Sequence, residues 1–293
     1  FNHPSAILML LDKRLCKAKL REAGLPVTEE LLWLGQETPD RDAARSPVQT
    51  KVHVQTKVPV QTKVPVQTKV HVRPVARMHS AEELLESMRA QRMFQVFIKP
   101  VYGSGAAGVS AFRFQPGTGR MALYTCAQLH PECGLVNTKR LRCFTKREES
   151  LPLLERILAL SCIVERWYAK AQCGGYSYDL RMVMQEGEPD FLLARLSKGP
   201  ITNLHLNNHP MECSELGLPA RVREEAADLC RRAMACFPGL TCAGIDLLPE
   251  RGSLALRIIE MNAQGDLIYQ DMYRENRIYR HQAAVMKRWL EGK

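Results

Sequence analysis

Two short stretches, Gly244-Ile245-Asp246-Leu247-Leu248 and Ile258-Ile259-Glu260-Met261-Asn262, constrain this chain more than any other feature. Each is a β-prone apolar run broken by an oxygen-bearing side chain. Pro249, Glu250, Arg251 and Gly252 lie between them and read as a turn. Two strands joined this way form an antiparallel hairpin. Side chains alternate between the faces of a strand, so Glu260 and Asn262 share a face. If Asp246 lies across from them, three hard oxygen donors converge, a set that Mg²⁺ takes when phosphate oxygens complete its shell. A half-buried hairpin with polar groups on its wet face has the same pattern, so the two strands alone leave both readings open.

The remaining bulk properties bound the fold loosely. The chain has 293 residues, 45% hydrophobic and 25% charged, which suffices for one large core or two small ones. No apolar run approaches the roughly 18 residues of a membrane helix, so no membrane partner is expected. The chain starts at Phe1 rather than Met, with no leader pattern, and reads as a fragment from which an upstream segment could be missing. None of the ten cysteines forms Cys-x-x-Cys, and no Cys/His set has zinc spacing. They read as buried, reduced thiols of a cytoplasmic protein.

A net charge of +10 suggests nucleic acid until its location is considered. Residues 41–77 hold eight basic residues against one acid, Asp42, so most of the excess sits in one insert. Within residues 46–75, positions 48–72 form four hexads, Val-Gln-Thr-Lys-Val followed by His or Pro. The period-2 alternation suits a strand, but Pro59 and Pro65 remove backbone donors. The insert therefore reads as an extended, solvated, disordered loop. Its four spaced lysines offer charge but no aromatic stacking, so nucleic acid is not the expected partner.

Helices are expected over residues 12–23, stopped by Gly24 and Pro26, over 80–92 behind a Ser80/Glu83 capping box, over 146–161, 221–236 and 272–290. Strands are expected over 30–34, 95–100, 110–114, 162–167, 179–184 and 191–195, followed by the hairpin. Helices and strands mix without strict alternation, so the class is α+β.

Several pieces carry chemistry. Lys99 ends a strand and opens Pro100-Val101-Tyr102-Gly103-Ser104-Gly105-Ala106-Ala107-Gly108, a loop whose small residues let amides approach a phosphate. No Gly-Lys-Ser/Thr closes it and no helix follows, so it is neither a Walker loop nor a Rossmann turn. Glu165, Arg166 and Trp167 end a strand that could meet an adenine edge and a ribose, or simply face solvent. Asp179 and Arg181 share a strand face and could pair with each other. Arg195 precedes a polar turn, Thr202-Asn203-Leu204-His205.

In this order the pieces resemble the ATP-grasp superfamily, and within it the RimK-like, glutathione-synthetase-like carboxylate–amine ligases. The resemblance runs from Asn2 and Asp12-Lys13 through Gly24-Leu25-Pro26, Ile98-Lys99-Pro100, Val164-Glu165-Arg166, Asp179-Leu180-Arg181, Arg195, Asn203-Leu204-His205 and Gly244–Leu248 to Glu260-Met261-Asn262. It implies two α+β subdomains gripping ATP, taken as residues 1–162 and 163–293. It implies Lys13 and Lys99 on the phosphates, with Gly103, Ser104, Gly105 and Gly108 in a lid over them. Glu165, Arg166 and Trp167 would form the adenine hinge, with Asp179 near the ribose and Leu204 and His205 near the nucleotide. Arg181, Arg195 and Asn203 would lie toward phosphate and acyl groups. Asp246, Glu260 and Asn262 would hold Mg²⁺ or Mn²⁺. The reaction implied is activation of a small-molecule or peptide carboxylate as an acyl phosphate and its capture by an amine. The chain departs from the pattern at Ala106, where a glycine is usual, and after His205, where Leu206-Asn207-Asn208-His209 replaces a glycine pair. The family's front domain would precede Phe1. These departures leave a second reading, an ATP-binding module without ligase activity.

Overall fold

The computed structural model describes residues 2–32, 80–263 and 275–292. The hexad insert falls outside these residues. The chain opens with α1 (Pro4–Leu11) and α2 (Lys13–Glu22). Pro4 stands at the first helical position of α1, where its missing N–H costs nothing. Asp12 separates the helices and caps α2, accepting from Arg14 N at 2.9 Å. Asn2 ties the start of the chain to the far end: its amide donates to the Cys242 and Ala263 carbonyls at 2.7 and 2.9 Å.

After the insert come α3 (Ala81–Ala90), β1 (Gln95–Pro100), β2 (Ser110–Phe114), β3 (Met121–His130), β4 (Gly134–Phe144), α4 (Arg147–Leu158) and β5 (Cys162–Arg166). The Ser80 hydroxyl accepts from Glu83 N at 3.2 Å, the cap its sequence promised. These strands form one antiparallel sheet in the order β4-β3-β2-β1-β5. Leu84, Leu85 and Met88 of α3 and Leu153, Leu154 and Ile157 of α4 bury against Val96, Ile98, Phe112 and Leu123.

The second sheet comprises β6 (Gln172–Cys173), β7 (Tyr176–Gln185), β8 (Glu188–Ser197), β9 (His209–Glu212), β10 (Ala243–Pro249) and β11 (Leu256–Asn262). Its order is β11-β10-β7-β8-β9, with β6 beside β7. Helix α5 (Ala220–Ala235) presents Val222, Ala226, Leu229 and Ala233, its i, i+4, i+7 stripe, to this sheet. Helix α6 (Arg277–Leu290) packs Ile278 against Val183 and Leu193.

The two cores do not divide at residue 162. Ala6, Leu10, Cys16 and Leu20 of α1 and α2 lie in the core of the second sheet, with Leu180, Val222 and Ile245. Val164 of β5 lies in the core of the first sheet. The expected strand over 30–34 is reduced to a single bridge, Glu30 with Glu165, within the described residues. Five elements lacked any expectation: α1, β6, β9 and both strands of the long hairpin β3–β4.

Candidate active site

The hairpin β10–β11 has the register the sequence suggested. Asp246 pairs across from Glu260 and Gly244 across from Asn262, with an irregularity between Asp246 and Leu247. Asp246, Glu260 and Asn262 all face a cavity of ≈ 340 Å³ between the two sheets. Lys13, Lys99, Gly103, Ser104, Gly105, Glu165, Arg166, Asp179, Arg181, Arg195, Asn203 and His205 line the same cavity. Residues more than two hundred positions apart are thus brought together. Gly108, Trp167 and Leu204 are not on its wall. Leu204 packs with Val183 and Leu193, and Trp167 sets its ring edge-on to Phe97 and Tyr124 at 5.5 and 6.0 Å. At Gly108 (φ 69°) a side chain would stand 2.8 Å from Pro100 Cγ, so glycine there lets the loop close on the end of β1.

The wall is a chain of opposite charges. Lys13 Nζ donates to the Gly103 carbonyl at 2.8 Å and pairs with Glu260 Oε1 at 3.2 Å. Lys99 Nζ lies 2.7 Å from Glu165 Oε2. Arg195 grips Asp179 with two hydrogen bonds, 2.8 and 2.9 Å, and reaches Asp246 Oδ2 at 3.0 Å. Arg181 Nε stands 3.0 Å from Asp246 Oδ1. Asp179 and Arg181 therefore do not pair with each other; each finds its partner on a neighbouring strand, where facing side chains are closer than the i, i+2 pair on one strand. Gly244 makes room for this, because a side chain there would meet Arg181 Nη1 at 2.2 Å.

The carboxyl of Glu165 does not await an adenine or a ribose. It is 1% exposed and committed to two lysines, Lys17 at 2.5 Å and Lys99, and to the Thr28 hydroxyl at 2.9 Å. Burial alone would raise its pKa, but the two lysines outweigh burial and hold it down to about 2. Asp179 follows the same logic: burial pushes it up, Arg195 and Lys170 pull it further down, to about 2. Arg166 pairs outward with Glu29 at 2.6 Å.

Two participants, Lys170 and Lys17, went unread in the sequence, and Thr202 was read only as part of a polar turn. Lys170 lines the cavity and donates to the Thr202 hydroxyl at 2.6 Å and the Pro200 carbonyl at 3.1 Å. Burial lowers its pKa to about 8 despite Asp179. Thr202 in turn donates to Asp179 Oδ2. Lys17 lies behind the wall. Its signal was present: Lys13, Cys16, Lys17 and Leu20 form the buried i, i+3, i+4, i+7 stripe of α2, and two lysines on such a stripe need buried partners. Lys170 is the one cation between Ala169 and Tyr178, which by itself marks nothing.

The buried thiols are poor nucleophiles. All ten cysteines are free, and burial pushes Cys16, Cys162 and Cys213 up to about 12. Among the described residues, no three His, Cys, Asp or Glu side chains are placed together to hold a metal ion. Two carboxylates and an amide do converge, however. Asp246 Oδ1 is buried without an aligned hydrogen bond, held only by its ion pair with Arg181. This set fits a hard divalent ion that brings further oxygens with it, as a phosphate-bound Mg²⁺ does.

The architecture places the chain in one fold class: it has the ATP-grasp fold. The structure is similar to that of D-cycloserine synthetase DcsG, at 12% identity and a TM-score of 0.53, covering 96% of this chain and 71% of that one. Looser likenesses are to the ATP-grasp ligase PsnB complexed with minimal precursor (16% identity, TM-score 0.44, 90% and 56% covered). A similar one is D-alanine–D-alanine ligase from Bacillus anthracis (11%, 0.47, 91% and 61%). The chain thus spans little more than half the length of PsnB. No protein-family model and no curated protein matches the sequence.

Proposed function

We propose that the chain is the ATP-grasp part of an ATP- and Mg²⁺-dependent carboxylate–amine ligase acting in the cytoplasm on a small-molecule or peptide acid. The observation that carries this reading is the convergence of Lys13, Lys99, Lys170, Arg181 and Arg195 on one cavity beside Asp246, Glu260 and Asn262. Such a wall suits a polyanion whose charge is shared with a divalent ion. Lys13 and Lys99 would hold the phosphates under the Gly103–Gly105 backbone. The end of β5 would offer its backbone, not the Glu165 carboxyl, to the adenine. Arg181 and Arg195 would orient the substrate carboxylate and the transferring phosphoryl group, stabilising charge as it spreads over the phosphoryl oxygens. The carboxylate oxygen attacks the γ-phosphorus, the bond to the bridging oxygen breaks, and ADP leaves. An amine then attacks the acyl carbon, phosphate departs and an amide forms. A bound Mg²⁺ would neutralise the phosphate oxygens at Asp246, Glu260 and Asn262.

Asp246→Asn and Glu260→Gln should each lower substrate-dependent ADP release at least a hundredfold, measured with a panel of acids and amines. Undiminished turnover in both variants would end the ligase reading. One observation favours the second reading, an ATP-binding module without ligase chemistry: Arg181 and Arg195 already occupy both oxygens of Asp246. Calorimetric ATP binding with no ADP formed across the panel supports that reading, and any acyl-phosphate product rules it out.

A further inference from the structure

We infer that Lys17 is a positioning residue for the nucleotide's phosphates, acting from behind the cavity wall through Glu165 and Lys99. The inference rests on the nucleotide reading above and extends it to a residue that does not touch the cavity.

Lys17 is 3% exposed and absent from the wall. Its ammonium lies 2.5 Å from Glu165 Oε1 and donates to the Thr28 hydroxyl. The Thr28 hydroxyl in turn donates a hydrogen bond to Glu165 Oε2 at 2.9 Å, the oxygen that also holds Lys99 at 2.7 Å. Lys17, Thr28 and Lys99 therefore surround one carboxylate, and Lys99 alone of the two ammoniums faces the cavity.

Charge counting gives the consequence. Two ammoniums share one carboxylate, so the group carries one net positive charge, and its exposed end is Lys99. Without the charge of Lys17, Glu165 would neutralise Lys99 completely. The phosphate side of the wall would lose about one unit of charge, in a setting where water screens poorly. A buried lysine is also costly to desolvate, and burial does lower the Lys17 pKa against the pull of Glu165. An apolar side chain would fill this position of the α2 stripe at less cost. What the lysine contributes in return is the charge state of Lys99.

A merely structural role and this electrostatic role differ in one readout. Adenosine lacks phosphates, so its binding depends on the shape of the cavity and not on the charge of Lys99. Lys17→Met should weaken MgATP and MgADP binding about tenfold, while adenosine binding stays within about twofold, all read by competition against a fluorescent ATP analogue. Equal weakening of nucleotide and adenosine, or no weakening of MgATP, overturns the inference and leaves the nucleotide reading standing. If Lys17→Met does not fold, Thr28→Val removes the hydroxyl that steadies both Lys17 and Glu165 at unchanged shape. It should weaken MgATP about threefold with adenosine again unaffected, and unchanged MgATP affinity in that variant overturns the inference too. Wild-type protein that binds neither MgATP nor MgADP would overturn the inference together with the nucleotide reading itself.

Discussion

Asp179 shows what single residues do in this site. It is 3% exposed, yet it stays ionised because Arg195 meets it with two hydrogen bonds and Lys170 stands 3.7 Å away. Removing one member of such a cluster leaves the others buried without a counter-charge. Asp179→Asn should therefore cost about 3–5 kcal/mol in urea unfolding at pH 7. The acid limb carries the sign. The folded pKa of Asp179 is depressed to about 2, so its stabilisation is complete above the unfolded aspartate value, near 4, and disappears as pH falls to about 2. Glu165 contributes in the same window. The Asn variant should lose less stability than wild type between pH 5 and 2, and parallel losses would show that the cluster does not hold Asp179 ionised. At this scale the sequence was legible where chemistry repeats with strand period. Glu260 and Asn262 could be placed on one face from alternation alone, and Asp246 joins them through the hairpin register. Partner choice was not legible. Whether Asp179 turns to Arg181 or to Arg195, and whether Glu165 serves a ligand or two lysines, depends on which strands become neighbours.

Elements with one buried face were read nearly to their ends. The α5 stripe and the α3 cap gave helices within one or two residues of those observed, and the β1, β2 and β5 cores are short apolar runs. The β3–β4 hairpin escaped because neither strand alternates. Ala122, Leu123, Thr125, Cys126 and Ala127 of β3 are buried whatever their parity, and β4 has no fully buried position at all. A strand buried on both faces, or on neither, has no period-2 signature. The hairpin nevertheless matters to the site. The Asn137 side chain accepts the Gly108 amide proton at 3.2 Å, and Leu141 fills the space beside Gly199. The hairpin thus braces the far end of the glycine loop, whose near end Lys13 holds through Gly103. Asn137→Ala should release about 1 kcal/mol of that bracing, so the Gly108 amide should exchange about fivefold faster with solvent deuterium. An unchanged exchange rate at Gly108 would mean that the hairpin only neighbours the loop.

For the whole molecule, the buried charges and the buried thiols pull stability in opposite directions as pH rises. Lys170 has a folded pKa depressed to about 8, so between there and the unfolded lysine value, about 10.4, the unfolded chain binds more protons and stability increases with pH. Cys16, Cys162 and Cys213 have folded pKa values raised to about 12, and burial raises Cys230 as well. Above about 8.5 these thiols ionise in the unfolded chain and remain protonated in the fold. The folded state then binds more protons, and stability falls with rising pH. Each group contributes at most about 1.4 kcal/mol per pH unit, so four thiols outweigh Lys170 and Lys17, whose pKa burial also lowers. Urea unfolding under reductant should show stability nearly level from pH 6 to 8 and falling by several kcal/mol by pH 10. The fall draws on both sheets' cores, since Cys162 packs in the first and Cys16, Cys213 and Cys230 in the second. Replacing Cys16 and Cys230 by alanine should make the slope above pH 8.5 shallower by at most about 2.8 kcal/mol per pH unit, two thiols' share, while lowering the neutral plateau. A slope untouched by that pair would show that these buried thiols do not cause the alkaline loss.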